Sequence, residues 1–576
     1  MDLAARPWLA SYAPGVPTIF DVPEGTLTDV LDASVGTYAA TTALEFFGAS
    51  TSYRELGDAV ARAAAGLKAL GVTHGDRVAL VLPNCPQHII AFYAVLRLGA
   101  IVVEHNPLYT DRELRHQFED HGAKLAIVWD RVAPRIQRFP ADIAVTTVVS
   151  VDLISAMPVS RRLALTLPLR RAREARAALT TTDGLTGPRT LVAWKELLRH
   201  RRLPQQQPRP AATDTAVLQY TSGTTGVPKG AILTHRNLLA NAAQGRAWVP
   251  GLDAGRETVY AVLPMFHAYG LTLCLTFAMS IGAKLVLFPR FDVGLVLDAA
   301  KKSPPTFLPA VPPIYDRLAA GAAERGADLR SIRFAISGAM NLPESTVETW
   351  EAATGGYLIE GYGLTETSPI VAGNPIGPTR RPGTVGVPFP GTDVRIVDPD
   401  APDVDRAPGE TGELLIRGPQ VFQGYWRRPD ETQAVLLDDG WCRTGDIVRM
   451  DGDHFITIVD RIKELIITGG FNVAPSEVER ALLNHADVTD AAVVGLARAE
   501  GGEDVVAVVV LAPGAALDVE ALRSHCRSAL AAYKVPRTIV QAQDLPRSQI
   551  GKILRREVRA QLLNDGLPAE GKGDRR

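Results

Sequence analysis

Tyr220-Thr-Ser-Gly-Thr-Thr-Gly-Val-Pro-Lys-Gly230 lies between two short apolar runs, Ala216-Val-Leu and Ala231-Ile-Leu. It therefore reads as a loop joining two strands. Gly223, Gly226 and Gly230 remove side chains where a backbone must turn tightly or come close to a ligand. Thr221, Ser222, Thr224 and Thr225 set hydroxyls between those glycines, and Lys229 adds one positive charge. Backbone N–H groups, hydroxyls and a lysine this close together match what a polyphosphate requires. The spacing is not that of the P-loop GxxxxGK[ST], because Pro228 precedes the lysine and Gly230 follows it. A flexible surface loop has the same composition, so the loop alone leaves both readings open.

Upstream, residues 27–58 carry apolar residues at helical spacing, and an Ala-rich helix runs on to about Leu70. Val78-Ala-Leu-Val-Leu is a continuous apolar run that suits a buried parallel strand. Asn84-Cys-Pro opens a helix through Leu98. Ile101-Val-Val and Lys124-Leu-Ala-Ile-Val-Trp repeat the strand pattern around a helix at 112–121. Such alternation predicts an α/β sheet. Residues 258–283 contain no Asp, Glu, Lys or Arg, but Pro264, His267, Gly270 and Gly282 interrupt them. A buried strand followed by a buried helix is the expectation there, not a bilayer span.

Downstream, Leu263-Pro-Met-Phe-His-Ala-Tyr-Gly270 places aromatics and His267 at the mouth of that apolar stretch. Ile332-Arg-Phe-Ala-Ile-Ser-Gly-Ala339 reads as a strand ending in a small-residue turn. In Gly355-Gly-Tyr-Leu-Ile-Glu-Gly-Tyr-Gly-Leu-Thr-Glu-Thr367, Gly361 and Gly363 flank Tyr362 and leave its ring free to stack on a planar base. Glu366 is an oxygen ligand of the kind Mg²⁺ takes beside substrate phosphates. From Gly383, short apolar runs between Gly, Pro and Asp predict a small β-rich subdomain that includes Trp441-Cys-Arg-Thr-Gly-Asp446. Asp460-Arg-Ile-Lys-Glu-Leu-Ile-Ile-Thr-Gly-Gly-Phe-Asn-Val-Ala-Pro-Ser-Glu-Val-Glu479 leads into a compact α/β domain, whose first helix is expected to start with a Ser476–Glu479 capping box. Pro546-Arg-Ser-Gln-Ile-Gly-Lys-Ile-Leu-Arg-Arg-Glu557 closes it, and the polar residues from Gln561 are expected to fray.

In order and spacing these motifs resemble the acyl-adenylate-forming superfamily, closest to bacterial long-chain fatty acid–CoA ligases. The resemblance covers about residues 27–559 and includes Glu464-Leu-Ile-Ile-Thr-Gly-Gly-Phe-Asn-Val and Gly551-Lys-Ile-Leu-Arg-Arg. It implies an α/β fold in which a large N-terminal domain holds two α/β sheets and a small β-rich subdomain. Residues 1–459 would form that domain, 460–463 a hinge, 464–560 a mobile α/β C-terminal domain and 561–576 a disordered tail. It further implies that Thr221, Ser222, Gly223, Thr224, Thr225, Gly226 and Lys229 hold ATP phosphates, with Thr221 and Glu366 on Mg²⁺. Gly338, Ala339, Gly361, Tyr362, Gly363 and Thr365 would hold the adenine, ribose and α-phosphate, and Asp446 and Arg461 the ribose. His267 would border the acyl pocket, so a bulky residue at Gly270 or Ala278 is expected to exclude long chains. Lys552 would bridge the carboxylate and the α-phosphate during adenylation. The C-terminal domain would then swing about Lys463 to bring Gly469 and Gly470 toward CoA.

The implied reaction is adenylation of a fatty acid and transfer to CoA. Two alternatives stay open: a free-standing enzyme that loads a carrier protein, and a non-catalytic nucleotide sensor. With 576 residues, 46% hydrophobic, 22% charged and a net charge of −2, the chain is an ordinary globular one with no bulk attraction to nucleic acid. The scattered Cys85, Cys274, Cys442 and Cys526 favour a reducing, cytoplasmic setting without structural zinc. Arg161, Arg162, Arg170, Arg171, Arg173 and Arg176 stand against Glu174 alone, with Pro168 dividing the segment. A solvated face is one reading, and peripheral contact with an anionic membrane on its inner face is the other. A homodimer is also left open.

Overall fold

The computed structural model describes residues 6–181, 183, 185–204, 206–221, 228–468, 471–498, 502–548 and 551–565. The chain divides into two compact units. The larger comprises Asp2–Val394 with Ile416–Cys442, and the smaller comprises Arg395–Leu415 with Arg443–Arg576.

The larger unit contains two sheets. In the seven-stranded one, Arg77–Val81, Ile101–Glu104, Leu125–Trp129 and Thr215–Thr221 run parallel. The helices Pro86–Arg97 and Asp111–His121 cross between successive strands. These strands are near-continuously apolar because helices cover them. Lys229–Thr234 reverses direction and pairs antiparallel with Thr215–Thr221, so the glycine-rich loop joins an edge hairpin.

The nine-stranded sheet has a parallel centre of Lys284–Leu287, Thr258–Ala261, Phe307–Ala310, Phe334–Ser337 and Tyr357–Gly363. Ser337 pairs in register with Glu360, so the Gly338 turn and the Gly361 segment lie side by side at the carboxyl ends of neighbouring strands. Ligands of open α/β sheets bind at such ends.

The smaller unit holds most of a four-stranded sheet of Asp393–Val397, Thr411–Arg417, Cys442–Met450 and Ile456–Arg461. A three-stranded sheet follows, in which Val488–Ala497 and Glu503–Leu511 are antiparallel and Thr538–Gln541 is parallel. Helices Pro475–Leu483 and Val519–Ala529 cover one face of that sheet, and Arg555–Asp565 covers the other.

Three expectations change. Residues 27–58 are not helical throughout, since the hairpin Thr42–Phe46/Ala49–Ser52 follows the helix Leu27–Thr37. Phe47 and Gly48 both have positive φ, the geometry of a two-residue hairpin turn, but Phe-Gly lacks the Asn or Asp that signals one. The helix Pro475–Leu483 starts where expected, yet without a capping box. The Ser476 amide donates to Asp460 Oδ2 and the Glu479 carboxylate is taken by Val493 N and Arg555. Finally, the helix Arg555–Asp565 continues through Gln561 because Val558 and Leu562 pack on the sheet. Residues 566–576 lie outside those described.

The stretch 258–283 forms a strand, Thr258–Ala261, and then a buried helical segment with a π-turn at Leu271–Thr276. Among the described residues no helix is long and apolar enough to cross a membrane. A Cβ at Gly270 would lie 2.1 Å from the Pro264 carbonyl oxygen, so a side chain there displaces backbone rather than narrowing a tunnel. Gly270→Ala should therefore cost about 1–3 kcal/mol of stability. An unchanged urea midpoint would show that the turn at Pro264 yields freely.

Candidate active site

In the larger unit the glycine-rich loop leaves from Thr221 and returns at Lys229, which are paired in register. Ser222, Gly223, Thr224, Thr225 and Gly226 lie outside the described residues. Both strands of this hairpin pack on the short turn Thr365–Thr367, which carries Glu366. The structure thus gathers Thr221, Lys229, Thr365 and Glu366 in one place.

A segment that sequence reasoning passed over ties these parts together. The Trp426 amide donates to Gly230 O at 2.7 Å, the Ile232 amide to Gly424 O at 2.9 Å, and the Phe422 amide to Glu366 O at 2.8 Å. Tyr425 donates its hydroxyl to Glu366 Oε1 at 2.6 Å, while the Lys229 ammonium sits 4.5 Å from its ring centroid. Burial, then the Glu366 charge, push the phenol far above its ordinary value, so it stays a donor. Its only sequence signal was an aromatic pair, Tyr425-Trp426, beside Gly424.

At the neighbouring sheet end, Tyr362 lies between Gly361 and Gly363 at the carboxyl end of the strand Tyr357–Gly363. A Cβ at Gly363 would fall 1.8 Å from Pro369 O, so only glycine fits there, whereas a Cβ at Gly361 would make ordinary contacts. Gly338 lies over the Tyr269 ring, whose hydroxyl donates to Ile336 O at 2.6 Å. Ala339 has φ of 66°, a left-handed conformation unusual outside glycine and frequent at functional sites. Glu360 is buried beside them, and burial pushes its carboxyl up to about 8. His267 Nδ1 accepts from the Tyr269 amide at 3.3 Å and caps the turn Ala268–Gly270. Burial lowers its pKa to about 4, so the imidazole is neutral near pH 7.

In the smaller unit, Asp446 and Arg461 are opposite one another in the antiparallel pair Cys442–Met450/Ile456–Arg461. Arg461 Nε donates to the buried Asp446 carboxylate at 2.9 Å. Lys463 is exposed on the turn Ile462–Glu464. Gly469 and Gly470 lie outside the described residues. Lys552 projects from a tight reversal in which Ser548 N donates to Lys552 O at 2.8 Å and Leu554 N to Pro546 O at 2.8 Å. Its ammonium is within electrostatic range of Arg461, Glu464, Asp446 and Arg555.

Arg555 is a second residue whose place was not legible. It pairs with both oxygens of Glu479 at 2.8 and 2.6 Å, with Ser476 Oγ at 2.8 Å, and with Glu464. Asp460 lies 3.6 Å away. One guanidinium thus clasps the 460–464 segment to the helix Pro475–Leu483.

Comparison with known proteins accounts for the combination. The model of the AMP-binding enzyme family matches residues 31–426, and that of the AMP-binding enzyme C-terminal domain matches 477–552. The chain belongs to the AMP-binding enzyme family. Its relatives include the long-chain-fatty-acid–CoA ligase of Bacillus subtilis (strain 168), 38% identical over 96% of this chain and 97% of that one. The long-chain-fatty-acid–CoA ligase of Yersinia pestis is 39% identical over the same shares. Among solved structures, ATP-bound MatB from Rhodopseudomonas palustris superposes with a TM-score of 0.79 at 29% identity, covering 93% of this chain and 99% of that one.

The surroundings of Lys552 have a measurable consequence. Burial and, next, the Arg461 guanidinium lower its pKa below that of an ordinary lysine. Its amine should therefore become reactive toward an acylating reagent at a lower pH than the exposed lysines do, read peptide by peptide in a mass-spectrometric pH series. A reactivity profile matching those lysines would show that the burial is not felt.

Proposed function

We propose that this chain is a fatty acid–CoA ligase working through an acyl adenylate. Its family uses an AMP-binding fold, and the relatives above are ligases of long-chain fatty acids and CoA by name. In the first step a carboxylate oxygen attacks the α-phosphorus of ATP, and pyrophosphate leaves with the bonding electron pair. In the second the CoA thiolate attacks the acyl carbon and AMP leaves. Both partners of the first step are anions, so catalysis rests on positioning and on cancelling charge. The observation that carries this reading is that each unit holds a set of groups of the right kind. One set is Lys229 beside Glu366; the other is Lys552 beside Asp446–Arg461.

In this reading Lys229, Thr221 and the intervening loop take the phosphates. Tyr362 and the 338–339 turn take the adenine, and Asp446 with Arg461 takes the ribose. Lys552 neutralises the carboxylate and the α-phosphate together. The hydroxyl and carboxylate oxygens of Thr221 and Glu366, on packed elements, are the donor type that suits Mg²⁺. When bound, that ion would neutralise charge on the departing pyrophosphate. His267, neutral and bound to a backbone amide, lines the acyl side rather than moving a proton. Residues 464–560 move as a domain about Lys463 between the two steps.

Two variants separate the halves. Lys552→Ala should lower fatty-acid-dependent pyrophosphate exchange by about 10²–10³, the scale of losing one preorganised electrostatic donor, and spare CoA transfer from supplied acyl-AMP. Lys463→Pro, which fixes φ at the joint, should do the reverse. Near-normal exchange in Lys552→Ala would remove the lysine from the mechanism. Equal loss of both steps in Lys463→Pro would place the joint elsewhere.

The acid substrate partitions into membranes, and one surface suits that source. The helices Val159–Ala164 and Arg170–Leu179 bury none of their residues. Val159, Leu163, Leu167 and Leu169 are 66, 63, 48 and 60% exposed. Arg170 pairs with Glu174, and among the described residues Arg162, Arg171, Arg173 and Arg176 form no ion pair. Exposed leucines among unpaired arginines fit an anionic lipid surface better than a solvated face. Vesicles containing phosphatidylserine should sediment the protein, less so at high salt, and neutral vesicles should not. Binding unchanged in Arg170→Ser/Arg171→Ser/Arg173→Ser would refute this contact.

A further inference from the structure

Tyr425 stands between the cation and the anion that the adenylation chemistry needs. Its hydroxyl holds Glu366 Oε1 at 2.6 Å, and its ring meets the Lys229 ammonium at 4.5 Å. The residue is 8% exposed, so neither contact is a chance surface approach. Backbone bonds hold it from both sides, through Gly424 to Ile232, Trp426 to Gly230 and Phe422 to Glu366. Its own amide donates to Thr432 Oγ1 at 2.9 Å, and that hydroxyl donates on to Arg428 O at 2.8 Å.

We propose that Tyr425 is a positioning residue for the metal–nucleotide complex: it orients the Glu366 carboxylate and keeps Lys229 from pairing with it. A direct lysine–glutamate pair would neutralise both groups and leave neither for its ligand. An aromatic face placed beside the ammonium attracts it without cancelling its charge. With Oε1 engaged by the phenol, Oε2 would remain for a cation, and Mg²⁺ takes few carboxylates beside substrate phosphates. Partners of this kind orient metal ligands, and their loss commonly weakens metal binding 10- to 100-fold. The proposal rests on Glu366 being the metal ligand.

The test is Mn²⁺ binding followed by electron paramagnetic resonance in the presence of α,β-methylene-ATP. Tyr425→Phe keeps the ring and should weaken Mn²⁺ by about tenfold, with metal-free nucleotide affinity retained. Tyr425→Leu removes the ring as well and should also weaken the nucleotide, because Lys229 is then drawn onto Glu366. Wild-type Mn²⁺ affinity in Tyr425→Phe, with binding lost in Glu366→Gln, would overturn the role of Tyr425 alone. Wild-type affinity in Glu366→Gln would instead overturn the metal assignment beneath it. If Tyr425→Phe does not fold, Thr432→Val keeps the Tyr425 hydroxyl but removes the acceptor of the Tyr425 amide. It should then weaken Mn²⁺ in the same direction, and an unchanged affinity would overturn the proposal.

Discussion

The larger unit depends on how one sheet edge is closed. A strand edge that carries a glycine-rich loop offers unpaired backbone groups on one side and a poorly packed segment on the other. Here Lys229–Thr234 pairs with Thr215–Thr221 inside the sheet and with residues 423–426 outside it. The outer segment also bonds to the Glu366 backbone, so the edge that anchors the loop anchors the carboxylate too. Thr221 and Lys229 are thereby fixed opposite each other.

The smaller unit solves a different electrostatic problem. Lys552, proposed to neutralise the carboxylate and the α-phosphate, stands near Arg461 and Arg555. Arg555 is removed from the contest by Glu479, Glu464 and Ser476, which occupy its donors. Arg461 is likewise directed at Asp446. What remains is a lysine on a short reversal, partly desolvated, with like charge nearby. Both terms make its ammonium less stable when no ligand is present and better matched to an anion when one arrives. Positive charge organised in advance needs no rearrangement at the moment of reaction.

Much of this was legible in the sequence because it depends on local pattern. Apolar runs marked the parallel strands, the interruptions in 258–283 separated a strand from a helix, and the helix expected at 112–121 forms as Asp111–His121. The glycines at 361 and 363 were noted for one reason, but only Gly363 has a steric one, a carbonyl at 1.8 Å from its missing Cβ. What escaped was set by distant partners. Tyr425 and Glu366 are 59 residues apart, and Arg555 and Glu464 are 91 apart. No spacing rule links them. Ser476 and Glu479 fit a capping box in spacing, yet Asp460 and Arg555 bind them instead. A charge-assisted pair to arginine outweighs a neutral cap, so the tertiary partner prevailed over the local one.

The proposed roles fall on different parts of the nucleotide: Lys229 and Glu366 are proposed for the departing phosphates, and Asp446, Arg461 and Lys552 for the ribose and the α-phosphate. When ATP becomes acyl-AMP, the acyl group replaces pyrophosphate, whose proposed holders are Thr221, Lys229 and Glu366. The adenosine and the α-phosphate are common to both, and Asp446 and Arg461 are proposed for the ribose and Lys552 for the α-phosphate. Loss of pyrophosphate therefore alters one set of contacts and spares the other. The clasp of Arg555 on residues 460–464 bears on the same change, because it ties the segment proposed to bend to the helix that follows it. A segment held in this way would move together with the helix rather than unravel, as the proposed swing of Lys552 requires.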